Sequence, residues 1–297
     1  MVSENAEKVL RMAKEQTQLK AASMEELRRN LEAFYARFRS EQMCTMEPVR
    51  IGHIPAFWIF TAQAPMDRVV LFFHGGGFTV GSTKDHLELC ERIAYTSRCR
   101  VLSVDYRLAP EHIFPAALDD CVKSYLWLIN GGISPRLIVP VGLSAGGNLV
   151  LTMLFRLREN SLPLPKAAVL LSPAVDLALS RPSVESNTLS DWLGKDNLEM
   201  ARRAYLRGHD PKDPMVSPIY GSLTGLSPLL IQVGTHEILF DDVKEFAKNA
   251  KEAGLDVTFE AWENMFHCWQ AFSALLVEGR QAIDSIGVYM RKAFETR

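Results

Sequence analysis

Gly142-Leu143-Ser144-Ala145-Gly146-Gly147-Asn148 is a glycine-flanked serine between two contrasting patterns. Before it, Leu137-Ile138-Val139-Pro140-Val141 has the apolar character of a short buried strand, in spite of its proline. After it, Ala145 to Arg158 is apolar and rich in helix formers. Ser144 is therefore placed on a tight strand-to-helix turn. Such a turn strains the serine backbone and admits only small neighbours, which Gly142, Ala145, Gly146 and Gly147 supply. A helix that starts just after the serine points unpaired N–H groups at whatever the hydroxyl meets. The setting predicts a nucleophile.

A second motif lies upstream. Arg68-Val69-Val70-Leu71-Phe72-Phe73 is an almost unbroken apolar run, the pattern of a strand covered on both faces. It leads into His74-Gly75-Gly76-Gly77-Phe78. Three successive glycines let backbone N–H groups approach a substrate without side-chain clash. The N–H groups of Gly76, Gly77 and Ala145 are the candidate donors to a tetrahedral oxyanion.

A serine hydroxyl needs a base, and the base needs an acid to orient it. In the α/β-hydrolases, whose serine turn this stretch resembles, both follow the serine in sequence. Three histidines lie downstream: His209, His236 and His267. His209 sits in the irregular stretch Gly208-His209-Asp210-Pro211. His267 follows the strand-like run Val257 to Trp262 and is the candidate base. The strand-like Leu229 to Gly234 ends just before Thr235-His236-Glu237, which places Glu237 at the strand tip as the candidate acid. Asp241 and Asp242 read as first-turn helix residues, where acids complement the dipole. His236 is a rival base by position only.

These residues resemble the hormone-sensitive-lipase-like (bacterial family IV) esterases of the α/β-hydrolase superfamily. The resemblance is carried by His74 to Phe78, Asp105-Tyr106-Arg107-Leu108-Ala109-Pro110-Glu111-His112, Gly142 to Asn148, Glu237-Ile238-Leu239-Phe240-Asp241 and Met265-Phe266-His267, and runs from about residue 45 to the C-terminus. It implies a serine carboxylesterase with the triad Ser144, Glu237 and His267, and no metal or organic cofactor. In the family the acid opens a D/E-x-L-x-D pattern, which falls on Glu237. Two positions depart from the pattern: Leu143 stands where relatives have Asp or Thr, and Ile113 where many have proline. Arg107, Glu111 and Asp119 read as paired structural charges that fix a loop near the site.

The 297 residues are 47% hydrophobic and 23% charged, with a net charge of −2, an ordinary globular composition with ample core. No basic block suggests nucleic acid, and Arg28-Arg29 and Arg202-Arg203 read as solvated faces. Five scattered cysteines, Cys44, Cys90, Cys99, Cys121 and Cys268, form neither a disulfide framework nor a zinc motif, which favours a reducing cytoplasm. Cys268 reads as packing. No signal peptide or membrane-length apolar run is evident. The expected partner is a small-molecule ester; a homodimer is compatible with the sequence.

The expected fold is α/β, a mostly parallel sheet of about eight strands with helices on both faces. Strands begin near Val49, Phe57, Arg68, Arg100, Leu137, Lys166, Leu229 and Val257, the first two or three antiparallel at one edge. Helices are expected over Lys84–Ser97, Ala116–Ile129, Ala145–Arg158, Asp241–Ala253 and Ala271–Arg291. Residues 46–175 and 223–297 make the catalytic domain. Residues 1–45, with a capping box at Ser23 to Glu26, and 176–222, with a helical run Asn197–Leu206, fall outside the alternation. The resemblance makes them a helical cap, with Phe34, Phe38, Trp192, Leu193, Met200 and Tyr205 as candidates for the acyl pocket or, equally, for the cap's own packing. The charges Lys8, Arg11, Lys14, Glu15 and Lys20 argue against a broad apolar lid, so the expected acyl chains are short, below about ten carbons. Rival readings are a lactone or amide hydrolase on the same scaffold, a ligand-binding relative that has lost catalysis, which the presence of His267 opposes, and a structural protein with an incidental site.

Overall fold

The computed structural model describes residues 3–17, 21–39 and 44–295; Lys20 and parts of the expected cap, residues 18–20 and 40–43, lie outside them. One sheet runs in the order β1-β2-β4-β3-β5-β6-β7-β8. Its strands are β1 (Thr45–Ile51), β2 (Ile54–Phe60), β3 (Val69–Phe73), β4 (Arg100–Val104), β5 (Ile138–Leu143), β6 (Ala168–Leu171), β7 (Leu229–Gly234) and β8 (Val257–Trp262). β1 pairs antiparallel with β2, and β2 antiparallel with β4. Every pair from β4 through β3 to β8 is parallel. The antiparallel edge follows from connection length, since β1 and β2 are joined by a turn too short for a crossover.

The unbroken apolar run of β3 has a direct explanation. Val69, Leu71 and Phe73 enter a core on one face of the sheet with Leu118 and Tyr125 of α4 (Ala116–Asn130) and Leu149 and Met153 of α5 (Ala145–Glu159). Val70 and Phe72 enter a second core on the other face, with Ile93 of α3 (Leu87–Ser97) and Ile286 of α9 (Val277–Glu295). Each such side chain, fully buried, contributes roughly 1.5–3 kcal/mol. Pro140 is tolerated because β5 pairs with β6 only from Val141 onward, so the proline stands at the end of that ladder.

Helix α8 (Phe240–Glu252) lies close to its expected span. The expected helix from Ala271 to Arg291 is instead two pieces. A 3₁₀ turn over Trp269–Phe272 precedes α9, which starts at Val277. Trp269 and Phe272 are drawn into the core, and Gly279 packs so closely on that turn that a Cβ there would lie 3.0 Å from Ser273 Cα. Helical periodicity over 271–291 does not register this fold-back.

The remaining helices are α1 (Glu4–Thr17), α2 (Met24–Ala36), α6 (Ser183–Ser186) and α7 (Lys195–Leu206). At the start of α2 the Ser23 Oγ accepts the Glu26 N–H at 3.2 Å, while the Glu26 carboxylate takes the N–H of Ala22, one residue before the cap. Arg28 is not on a solvated face. Its guanidinium donates to the carbonyls of Thr79 and Ala109 and forks onto both oxygens of Glu111, which clamps α2 to the loop after the glycine motif. Arg29, by contrast, is exposed beside Glu25. The loop charges do pair, each with its own partner: Arg107 with buried Asp120, Asp119 with Arg156, Glu111 with Arg28. Breaking a buried pair costs about 3–5 kcal/mol, and the partial exposure of Arg107 places its pair toward the lower end.

Candidate active site

Ser144 stands between β5 and α5 with φ 54° and ψ −114°. Positive φ is costly for any residue but glycine, and it is held here by the packing around the turn. A Cβ on Gly146 would meet the Phe73 carbonyl at 2.0 Å, so only glycine lets α5 cross β3 this closely.

The glycine loop sits beside the serine. Gly76 has φ +115° and Gly77 φ +59°, and a Cβ on Gly77 would come within 2.9 Å of the Ala201 Cβ of α7. Among the described residues, the N–H groups of Gly76, Gly77 and Ala145 donate no hydrogen bond. Ala145 is buried, while Gly76 and Gly77 are half-buried in the cavity wall, and free backbone donors beside a nucleophile can receive an anion. The Asp105–Tyr106 signature supports this loop. Asp105 accepts the N–H and hydroxyl of Thr83, and the Tyr106 hydroxyl donates to the His74 carbonyl. The His74 ring stacks on Tyr106 at 4.1 Å, and burial lowers its pKa to about 4, so it stays neutral. Leu143 is buried against Gly75 and forms part of the cavity wall, an apolar contact behind the turn.

The three candidate catalytic side chains converge. His267 Nε2 lies 2.9 Å from Ser144 Oγ, and His267 Nδ1 lies 2.9 Å from Glu237 Oε2. With Glu237 ionised, Nδ1 carries the proton and the Nε2 lone pair faces the serine hydroxyl. The other carboxylate oxygen, Oε1, accepts from Ser172 Oγ at 2.7 Å and from the Gly234 N–H at 2.6 Å. Glu237 is thus fully hydrogen-bonded and fully buried. Burial disfavours the imidazolium, but the adjacent Cys268 sulfur and Glu237 carboxylate favour it, and the net effect raises the His267 pKa. Because burial also pushes the Cys268 thiol up, its proton is retained near neutral pH and Glu237 is the charge that acts.

The other candidates lie apart from the serine. His209 bonds Asp213. The His236 backbone N–H goes to the Met265 carbonyl. Asp241 accepts the Ser183 N–H. The Asp242 carboxylate is buried and has no hydrogen-bond partner among the described residues.

A cavity of about 510 Å³ opens over Ser144 and His267. Trp192, Leu193 and Met200 line it, as expected from the sequence, together with Leu27, Leu31 and Tyr35 of α2, which the sequence reading missed. Three expected pocket residues belong elsewhere. Phe34 and Phe38 pack edge-to-face on each other and on Phe272 in the core beneath α2. Tyr205 is buried flat against Phe78 at 3.9 Å. On the amphipathic α2, a shift of one position, from Phe34 to Tyr35, separates core from cavity. Ser172 was also missed; its only signal is a polar residue at the end of an apolar strand.

No group of His, Cys, Asp or Glu among the described residues could hold a metal ion, and no described helix is long and apolar enough to cross a membrane.

Comparison with known proteins identifies the family of the fold. A family model described as alpha/beta hydrolase fold matches residues 70–271. The chain is 40% identical over 247 residues to an acetyl-hydrolase of Streptomyces hygroscopicus, covering 82% of each protein. It is 35% identical to an esterase of Acinetobacter venetianus, over 89% of this chain and 87% of that one. A solved structure of an esterase from the bacterial hormone-sensitive lipase family superposes with a TM-score of 0.96 at 38% identity, covering 99% of both chains.

Proposed function

The chain belongs to the α/β-hydrolase family and, within it, to the hormone-sensitive-lipase-like esterases, and from that premise we propose how its residues perform ester hydrolysis. It is a carboxylic ester hydrolase. The observation that carries the mechanism is the unbroken relay Glu237–His267–Ser144, with both contacts at 2.9 Å, opening into one cavity. Ser144 attacks the ester carbonyl as His267 Nε2 takes its proton. The N–H groups of Gly76, Gly77 and Ala145 receive the oxyanion. Each such donor is worth about 100- to 1000-fold in turnover. His267 then protonates the leaving alcohol, and water repeats the cycle on the acyl-enzyme. α2 and α7 serve as the cap of this site.

The lining suggests the substrate class. Among the described residues, no Asp, Glu, Lys or Arg lines the cavity, and burial lowers the pKa of His86, another wall residue, to about 3. The acyl arm is therefore uncharged and short, below about ten carbons, each methylene gaining about 0.8 kcal/mol only while room remains. The test is a p-nitrophenyl ester panel. kcat/KM should peak at short chains, and the hemisuccinate should fall about 100-fold or more below the valerate, because an unpaired carboxylate would be buried. A steady rise to sixteen carbons with activation at an oil–water interface, or equal rates for the charged ester, contradicts this. The same panel with lactones and amides tests the rival acyl hydrolases.

A cytoplasmic location is a further proposal; it rests on five buried free cysteines.

A further inference from the structure

The two loops that deliver Glu237 and His267 are tied together by a segment from outside the sheet, residues 187–192, between α6 and α7. Asn187 Nδ2 donates to the carbonyls of Thr235 and Glu237. Ser190 Oγ donates to the His236 carbonyl. Trp192 Nε1 donates to the His267 carbonyl. At the centre is Asp191, only 2% exposed. Its Oδ1 accepts the His267 N–H at 3.0 Å and the Trp192 N–H at 2.8 Å, and its Oδ2 accepts the Ile238 N–H at 3.0 Å. The main chain of His267 is thus held on both sides, N–H and C=O, by two consecutive cap-segment residues. The main chain next to Glu237 is held by the same carboxylate.

We propose that Asp191 is a positioning residue of the esterase site: its carboxylate sets the spacing of the Glu237 and His267 loops and supplies a second negative charge that stabilises the imidazolium formed in each half-reaction. This deepens the serine-hydrolase reading and rests on it.

Several observations favour this role over simple packing. A carboxylate buried this deeply is expensive unless it is bonded to several donors, and here the donors are N–H groups of the two triad loops themselves. The titratable groups facing it are His267 and Glu237, with Cys268 beside them, and no arginine or lysine neutralises it among the described residues. Burial raises its pKa to about 6, with His267 opposing and Glu237 adding to the rise, so it is ionised at the alkaline pH where a neutral His267 base works. The next residue, Trp192, lines the cavity, so the segment that reads the substrate also fixes the base.

The test compares Asp191→Asn with Asn187→Ala, which removes two anchors of the same segment but no charge. For Asp191→Asn, kcat should fall on the order of 10- to 100-fold with KM changed far less. The acid limb of its kcat/KM profile should move down by roughly half a pH unit or more, because an anion near the imidazole is gone. Asn187→Ala should lower activity without moving that limb. Asp191→Glu, which keeps the charge but displaces it, should lose kcat with the limb unmoved; this variant decides the matter if the asparagine variant does not fold. An Asp191→Asn profile that superimposes on wild type, an Asn187→Ala variant that reproduces the shift, or an Asp191→Glu variant whose limb moves would overturn the proposal. Ser144→Ala, run in parallel, separates its failure from failure of the underlying reading: residual activity there refutes the serine mechanism, whatever Asp191 does.

Discussion

Ser144→Ala is expected to fold normally and to lose ester turnover by on the order of a million-fold. Alanine meets the same steric cost as serine at φ 54°, so the turn geometry is retained. Among the described residues the hydroxyl's partner is His267 Nε2, and that nitrogen faces the cavity once the hydroxyl is gone, so no buried polar group is stranded. Thermal unfolding should change little while p-nitrophenyl butyrate hydrolysis drops to background. Retention of a tenth of wild-type rate by a contaminant-free preparation contradicts the mechanism.

Glu237→Gln should cost roughly four orders of magnitude in kcat. The reason lies in the second carboxylate oxygen. Ser172 Oγ and the Gly234 N–H both donate to Oε1, and a glutamine has one oxygen with which to satisfy them. That oxygen stays with its two donors and turns the amide NH₂ toward His267 Nδ1. The ring is then forced into the tautomer whose Nε2 carries hydrogen and cannot accept the serine proton. The sign of the pH effect follows as well. The active base is neutral His267, and its pKa in the folded enzyme is raised, so wild-type kcat/KM is lost as pH falls through a value above the ordinary histidine range. Without the carboxylate, the acid limb of whatever activity remains should move to lower pH. Asp241→Asn, whose side chain accepts the Ser183 N–H and lies outside the triad, should stay within a few-fold of wild type. If Asp241→Asn were the crippling change and Glu237→Gln near wild type, the acid would be wrongly assigned.

The residues that were legible in the sequence are those whose role is written in their immediate neighbours. Ser144 carries its turn glycines with it, and Gly76 and Gly77 follow an unmistakable buried strand. Glu237 and His267 each follow a strand whose apolar run marks its end. The antiparallel edge was readable from connection lengths. Long-range placement was not. Phe34 and Tyr205 are apolar in the right segments, but hydrophobicity specifies burial and not which cavity or core receives the side chain. Arg28 looked like half of a solvated pair because its partners, Thr79, Ala109 and Glu111, lie far along the chain. Ser172 and Asp191 act through hydrogen bonds to loops that only the tertiary fold brings near, and a lone polar residue has no periodicity to reveal it. The break before α9 was hidden because Trp269 and Phe272 fit a helical apolar pattern equally well when turned into the core by a 3₁₀ turn.

The central claim is a covalent acyl-enzyme on Ser144. The direct measurement is acid quench during steady-state turnover of p-nitrophenyl trimethylacetate, whose bulky acyl group slows release, followed by intact mass and peptide mapping. The account predicts one trimethylacetyl group per chain, on the peptide carrying Ser144, and none in the Ser144→Ala protein. Continued turnover with no adduct, or an adduct on Cys268 or any other residue with Ser144 unmodified, would contradict it.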